Sequence, residues 1–278
     1  MTLLSLRTGR LSVEIEPEAG GSVARFAVGG RDILRPGRGT QGAAYPLVPF
    51  SNRIANGRFE FEGRTIEVPR NWPDPAVRHP MHGDGWAAAW RAQSSGPTAA
   101  AIAFEHDGTS GWPFRYRASQ SFRLENDALT VQMRLENREP HSVPGGMGLH
   151  PFFIREPDSE LFFDADAVWL ADAEVLPTRR VTVPSDWDFC HGRRPDDVAL
   201  DNCFDGWDGE AAVVWPSRRL RLELAASAPF RHAVVFTPSG RPFFCFEPVS
   251  HANGQIGCTH IAAGGALSGE IVFRLSDL

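Results

Sequence analysis

The chain has 278 residues, 42% hydrophobic and 22% charged, long enough to bury a large core as one all-β domain or as two smaller units. Its formal net charge of -6, with both signs scattered along the sequence, argues against a nucleic-acid surface and against a polybasic membrane patch. The opening "MTLLSLRTGRLSVEIEPEAGG" has no charged segment before a sustained apolar run, and no stretch reaches the roughly 18 uninterrupted apolar residues of a membrane span, so a soluble, cytoplasmic protein with a neutral small-molecule partner is expected.

Period-2 alternation begins at once. "LSVEIE" sets Leu11, Val13 and Ile15 on one face, and "RFEFEGRTIEV" folds back at Glu62-Gly63. "ALTVQMRLEN" alternates Leu129, Val131, Met133 and Leu135 with Thr130, Gln132, Arg134 and Glu136. "VVWPSRRLRLEL" turns at Pro216-Ser217 into a strand with Leu220, Leu222 and Leu224 on one face, and "VVFTPSGRPFFCF" turns at Pro238-Ser239-Gly240. With 27 Gly and 22 Pro punctuating short strands, no helical period, no fixed repeat and no low-complexity linker, the pattern predicts a single all-β domain over 1–278: a large twisted antiparallel β-sandwich whose curved face can hold a ligand. Cys190, Cys203, Cys245 and Cys258 form no C-x-x-C pair, so reduced thiols are expected rather than disulfides or a metal site.

Four polar segments interrupt the strands. In "YPLVPFSNRIANGRF", Asn52 and Arg53 follow a proline-bracketed apolar run; Arg53 reads either as a loop arginine paired with a carboxylate or as a planar fork holding sugar hydroxyls. In "RHPMHGDGWAAAW", His79 and His82 lie three apart, but Pro80 breaks the helix that would aim both at a metal. A glycine-flanked His82 beside Trp86 and Trp90 suits a carbohydrate site, because apolar sugar faces stack on aromatics while hydroxyls need polar partners; an ordinary loop histidine is the other reading. "PGGMGLHPFF" delivers His150 to the start of an aromatic strand, where it is either a satisfied core histidine or a proton donor. "FFCFEPVSH" ends an aromatic run on Glu247, with Asp201 upstream in "LDNCFDGW". A buried carboxylate needs a partner or a task, and Glu247 has either an arginine to neutralise or chemistry to perform.

In order, "NRIANGRF", "HGDGW", "GLHPFF", "LDNCF" and "EPVSHANG" closely resemble the aldose 1-epimerase (mutarotase) family over about Asn52 to Asn253. The resemblance implies a galactose mutarotase-like β-supersandwich that interconverts the α and β anomers of a free aldose without a cofactor or metal. It further implies that Glu247 is the general base at the C1 hydroxyl, that His150 is the general acid at the ring oxygen, and that Arg53, His82, Asp201 and Asn52 hold the sugar. Hemiacetal opening needs one proton removed and one delivered at different oxygens, which calls for a carboxylate and an imidazolium facing each other across the ring. The expected partner is a monosaccharide, with the chain acting as a monomer or homodimer.

Pro151-Phe152-Phe153 after His150 and Gly-Asp-Gly after His82 depart from the better-known galactose mutarotases and leave the preferred sugar open. His79, His251, Trp86, Trp112, Phe153 and Trp187 are further candidates to shape the pocket. Three rival readings accompany the resemblance. A hexose-6-phosphate 1-epimerase would need extra basic residues, for which Arg70 and Arg78 are available. A non-catalytic sugar-binding protein on the same scaffold would be expected to lack Glu247 or His150. A glycoside hydrolase would use Asp201 and Glu247 as its carboxylate pair.

Overall fold

A computed structural model of the chain describes residues 2–109 and 111–278. The all-β expectation holds: among the described residues there is no α-helix, only short 3-10 turns between strands. An eleven-stranded and an eight-stranded antiparallel sheet face each other, and a separate hairpin joins Arg58–Phe61 to Arg64–Glu67. That hairpin turns at Glu62 and Gly63, both at positive φ (48° and 72°), a tight turn whose twist matches its strands.

The middle of the larger sheet runs Ala44–Leu47, Gly148–Ile154, Phe243–Val249, His232–Phe236 and Asp201–Asp205. Residues of one parity in these strands point into the main core between the sheets: Ala44, Leu149, Phe153, Phe244, Phe246, Ala233, Val235 and Phe204. Residues of the other parity build a smaller apolar cluster on the outer face: Tyr45, Leu47, Phe152, Phe243, Cys245, Val249, Val234 and Cys203. The strand Phe243–Val249 is therefore buried on both faces, which is why its sequence reads as a continuous apolar run rather than an alternating one.

That burial fixes the register. Each phenylalanine taken from water contributes about 1.5–3 kcal/mol, and a slip of one residue would turn Phe244 and Phe246 outward and drive Glu247 into the core. Gly148 pairs with Val249 and Phe152 with Cys245, which sets His150 opposite Glu247. Tyr45 lies opposite His150 on its other side. No helix of the described residues is long and apolar enough to cross a membrane.

Candidate active site

The outer face of the larger sheet is the floor of a cleft of about 340 Å³, which all six sequence-derived site residues line: Asn52, Arg53, His82, His150, Asp201 and Glu247. This volume is in the range of small-ligand sites and suits a monosaccharide. His150 and Glu247 come from neighbouring strands, and His150 Nε2 lies 3.2 Å from Glu247 Oε1. They stand side by side on the floor rather than facing each other across a ring-sized gap, the arrangement expected from sequence. Two oxygens bonded to one anomeric carbon are themselves neighbours, so adjacent groups can serve both.

The surroundings decide the protonation of this pair. The His150 ring is stacked between Tyr45, at 4.7 Å, and Phe152, at 4.5 Å, with His82 edge-on at 5.5 Å. That burial lowers its pKa to about 3. Burial likewise pushes Glu247 well above the usual carboxylate range; the nearby Asp201 charge adds to the rise, and Arg53 opposes it. The neutral acid and the neutral imidazole are thus the favoured pair. The carboxylate–imidazolium form expected from sequence contains the same number of protons and differs by one transfer across the 3.2 Å contact.

Asn52, Arg53 and His82 sit on loops, and Asp201 begins a strand of the larger sheet. Asn52 and His82 hold each other: the His82 N–H donates to the Asn52 carbonyl at 3.0 Å, and the Asn52 N–H donates to His82 Nδ1 at 3.1 Å. Accepting at Nδ1 puts the ring proton on Nε2, consistent with a pKa that burial lowers well below 6.5, and makes His82 a neutral hydrogen-bond donor. Asn52 Oδ1 accepts the Arg53 N–H at 2.9 Å, and Arg53 Nη1 lies 3.7 Å from Asp201 Oδ2. Burial raises the Asp201 carboxyl, and Arg53 works against that rise.

The glycines around His82 have a steric cause. Gly83 adopts a φ of +67°, and a Cβ there would lie 2.0 Å from the Val48 carbonyl oxygen, which accepts the N–H groups of Asp84 and Gly85. Asp84 itself turns away from the cleft, accepting the Trp112 N–H at 3.2 Å and lying 3.4 Å from His106 Nε2.

Other sequence candidates do not line the cleft. Trp112 and Phe153 are buried in the main core, and Trp187 packs against that core. Trp86 stands behind a lining residue, Trp72, at 4.8 Å. His79 and His251 are backbone acceptors: His79 Nδ1 takes the Asn56 N–H and His251 Nε2 takes the Ser51 N–H, each at 3.1 Å. With His82 they make three histidines that pin the loop carrying Asn52 and Arg53. Arg70 donates to the carbonyls of Asp74 and Val77, and Arg78 pairs with Glu174 at 2.6 Å; neither lines the cleft. The residues that sequence reasoning missed are the aromatic walls Tyr45, Trp72, Phe152, Phe236 and Phe243, and the arginines Arg35 and Arg241.

One trio of metal-ligating types converges among the described residues: ligand atoms of His150, Cys245 and Glu247 lie within 4.8 Å of one another. Burial pushes the Cys245 thiol well above its ordinary range.

The model of the aldose 1-epimerase family matches residues 2–274. The uncharacterized protein YphB of Escherichia coli (strain K12) is 31% identical over 264 residues, covering 91% of this chain and 89% of its own. A crystal structure from Escherichia coli K12, described as a candidate aldose 1-epimerase, superposes with a TM-score of 0.91 at 30% identity over 100% of this chain and 99% of its own. The GalM/aldose epimerase homologue from C. elegans shares the fold, with a TM-score of 0.86 at 14% identity over 100% and 99% of the two chains. By family match, sequence relatives and fold, the chain belongs to the aldose 1-epimerase family.

Proposed function

We propose that the protein is a mutarotase, interconverting the α and β anomers of an aldose by acid–base ring opening and closure. The observation that carries this reading is the contact between the buried His150 and Glu247 on the floor of a sugar-sized cleft. An imidazole and a carboxyl that share one proton at this distance can deliver it at one oxygen while removing one from its neighbour.

In the proposed cycle the sugar lies against the aromatic walls with its anomeric carbon over the pair. The pair reacts as carboxylate and imidazolium: Glu247 takes the proton of the C1 hydroxyl while His150 protonates the ring oxygen. The C1–O5 bond breaks, and C1 becomes an aldehyde carbon. Rotation about C1–C2 presents the other carbonyl face to the O5 hydroxyl. Closure returns the O5 proton to His150 and the Glu247 proton to the C1 oxygen, so both groups end as they began. Arg53, Asn52 and His82 supply donors for hydroxyls, and Asp201 accepts from one. The members of this chain alone provide every proton movement in the scheme.

The test is anomer exchange, followed by polarimetry or NMR, on a panel of aldoses. Wild type should accelerate exchange above the buffer rate, and Glu247→Gln should retain binding while losing roughly 100-fold or more of the rate. Near-normal turnover in that variant would sink the assignment.

A further inference from the structure

Three arginines line the cleft, and they are not equivalent: Arg53 faces Asp201, whereas Arg35 and Arg241 form no ion pair among the described residues. Nearby Arg155 is compensated, with Nη1 donating to Asp196 at 2.9 Å. The Arg35 guanidinium lies over the rings of Phe152 and Phe243, at 4.3 and 4.4 Å from their centroids, so its position is fixed by two cation–π contacts. Its backbone N–H donates to the Phe152 carbonyl at 2.8 Å, which ties the segment to the site strand. Two of its side-chain nitrogens, Nε and Nη2, are enclosed without any hydrogen-bond partner. Arg241 is exposed on the turn before Phe243, and its like charge, after burial, helps to lower the Arg35 guanidinium from its usual value. Two neighbouring positive charges are therefore held at one end of the cleft with no acid to balance them.

Position defines what that end would touch. Phe152 is two residues beyond His150, and Phe243 four before Glu247; at about 3.3 Å per residue, Arg35 sits roughly 7–13 Å along the strands from the acid–base pair. The near part of that span is the reach of a hexose from its anomeric carbon to a substituent on C6. Asp201 and Arg53, 3.7 Å apart, balance one another. We propose that Arg35 and Arg241 form a subsite for an anionic group, phosphate, sulfonate or carboxylate, at the C6 end of the sugar, and that they select acidic aldoses over neutral ones. The exposed Arg241 guanidinium presents planar donors to the paired oxygens of all three groups, and the Arg35 charge, held against aromatic rings, attracts them with little reordering.

This inference rests on reading the cleft as an aldose site, so its test uses ligands that cannot open their ring. Binding of 1,5-anhydrohexitols of gluco and galacto configuration would be measured by calorimetry, as the neutral compounds, the 6-phosphates, the 6-sulfonates and the 6-carboxylates. Wild type should bind at least one anionic series tenfold or more tighter than its neutral parent, and the preferred anion identifies the chemistry. Arg35→Gln and, at an exposed position that leaves the fold intact, Arg241→Ser should each erase most of that preference while leaving the neutral parent's affinity within about twofold. Equal binding of neutral and anionic compounds, no binding of any anionic compound, or a preference that survives both substitutions would overturn the proposal. Failure of Glu247→Gln to lose anomer exchange would overturn the catalytic reading and leave these affinities untouched.

Discussion

His150 and Glu247 lie 3.2 Å apart in surroundings that discharge both of them. Burial takes the imidazole down to about 3 and lifts the carboxyl well above its ordinary 4.5, so the pair keeps one proton over a wide pH range. In the proposed cycle the active form has that one proton; a second would inactivate it near pH 3, and loss of the first would inactivate it above the usual carboxylate range. The kcat/KM profile for a neutral aldose should accordingly show no acid limb near 6.5. Initial rates between about pH 5 and pH 8 check this, and a limb at the ordinary histidine value would mean that His150 titrates as if exposed.

The loop that carries Asn52 and Arg53 depends on neutral histidines. His251 accepts the Ser51 N–H, a role that protonation abolishes, and its pKa is lowered to about 4 in the folded chain, mainly by burial. Below 6.5 the unfolded chain takes up a proton that the folded chain refuses, so this contribution is complete above 6.5 and is lost as pH falls toward 4. The shift from 6.5 to about 4 corresponds to roughly 3 kcal/mol across the window. Denaturant unfolding at pH 7 and pH 4.5 should show wild type losing about 2–3 kcal/mol more than His251→Gln, which retains an acceptor without the titration. Parallel losses in the two proteins would remove His251 from this role.

Gly83 and Gly63 separate two kinds of glycine requirement. Both have positive φ, +67° and +72°, but a Cβ at Gly83 meets the Val48 carbonyl at 2.0 Å, whereas Gly63 has nothing within 4 Å. Gly63→Ala should cost only the left-handed backbone penalty, about 1–2 kcal/mol. Gly83→Ala should cost more than that and raise KM, because the displaced segment begins at His82. Thermal unfolding and steady-state kinetics of the two variants test the distinction; equal stability losses would show that the close approach to Val48 carries no weight.

The strands were legible in the sequence because half-buried faces impose alternation: "LSVEIE" and "ALTVQMRLEN" are the strands Leu11–Glu16 and Leu129-bearing Ala128–Asn137. The six polar residues that the fold gathers along one cleft were all singled out in the sequence, since each stands where a polar or glycine-rich motif interrupts an apolar run. Phe153 was misjudged for a reason the pattern itself contains: His150 and Phe152 share a face, so Phe153 points to the core. Trp72 and Arg35 were not legible. Neither belongs to a periodic segment, and only the packing of their loops against the site strands brings them to the cleft. Trp112 was a candidate to shape the pocket because tryptophan suits a ligand wall and a core equally, but it is buried in the main core, with its ring against Phe50, Phe59 and Phe114.

Because the strand Phe243–Val249 is buried on both faces, the floor and the rim of the cleft answer to different constraints. His150 and Glu247 are locked to the interior through their strand neighbours, so nearly any backbone shift there would be felt throughout the molecule. Arg35, Arg241, Trp72 and His82 stand on connecting segments outside the site strands. On the proposed function, grafting alternative 35–41 and 238–242 segments should therefore retarget which sugar is accepted while the His150–Glu247 pair is inherited unchanged, which makes this frame a natural starting point for engineered anomer control.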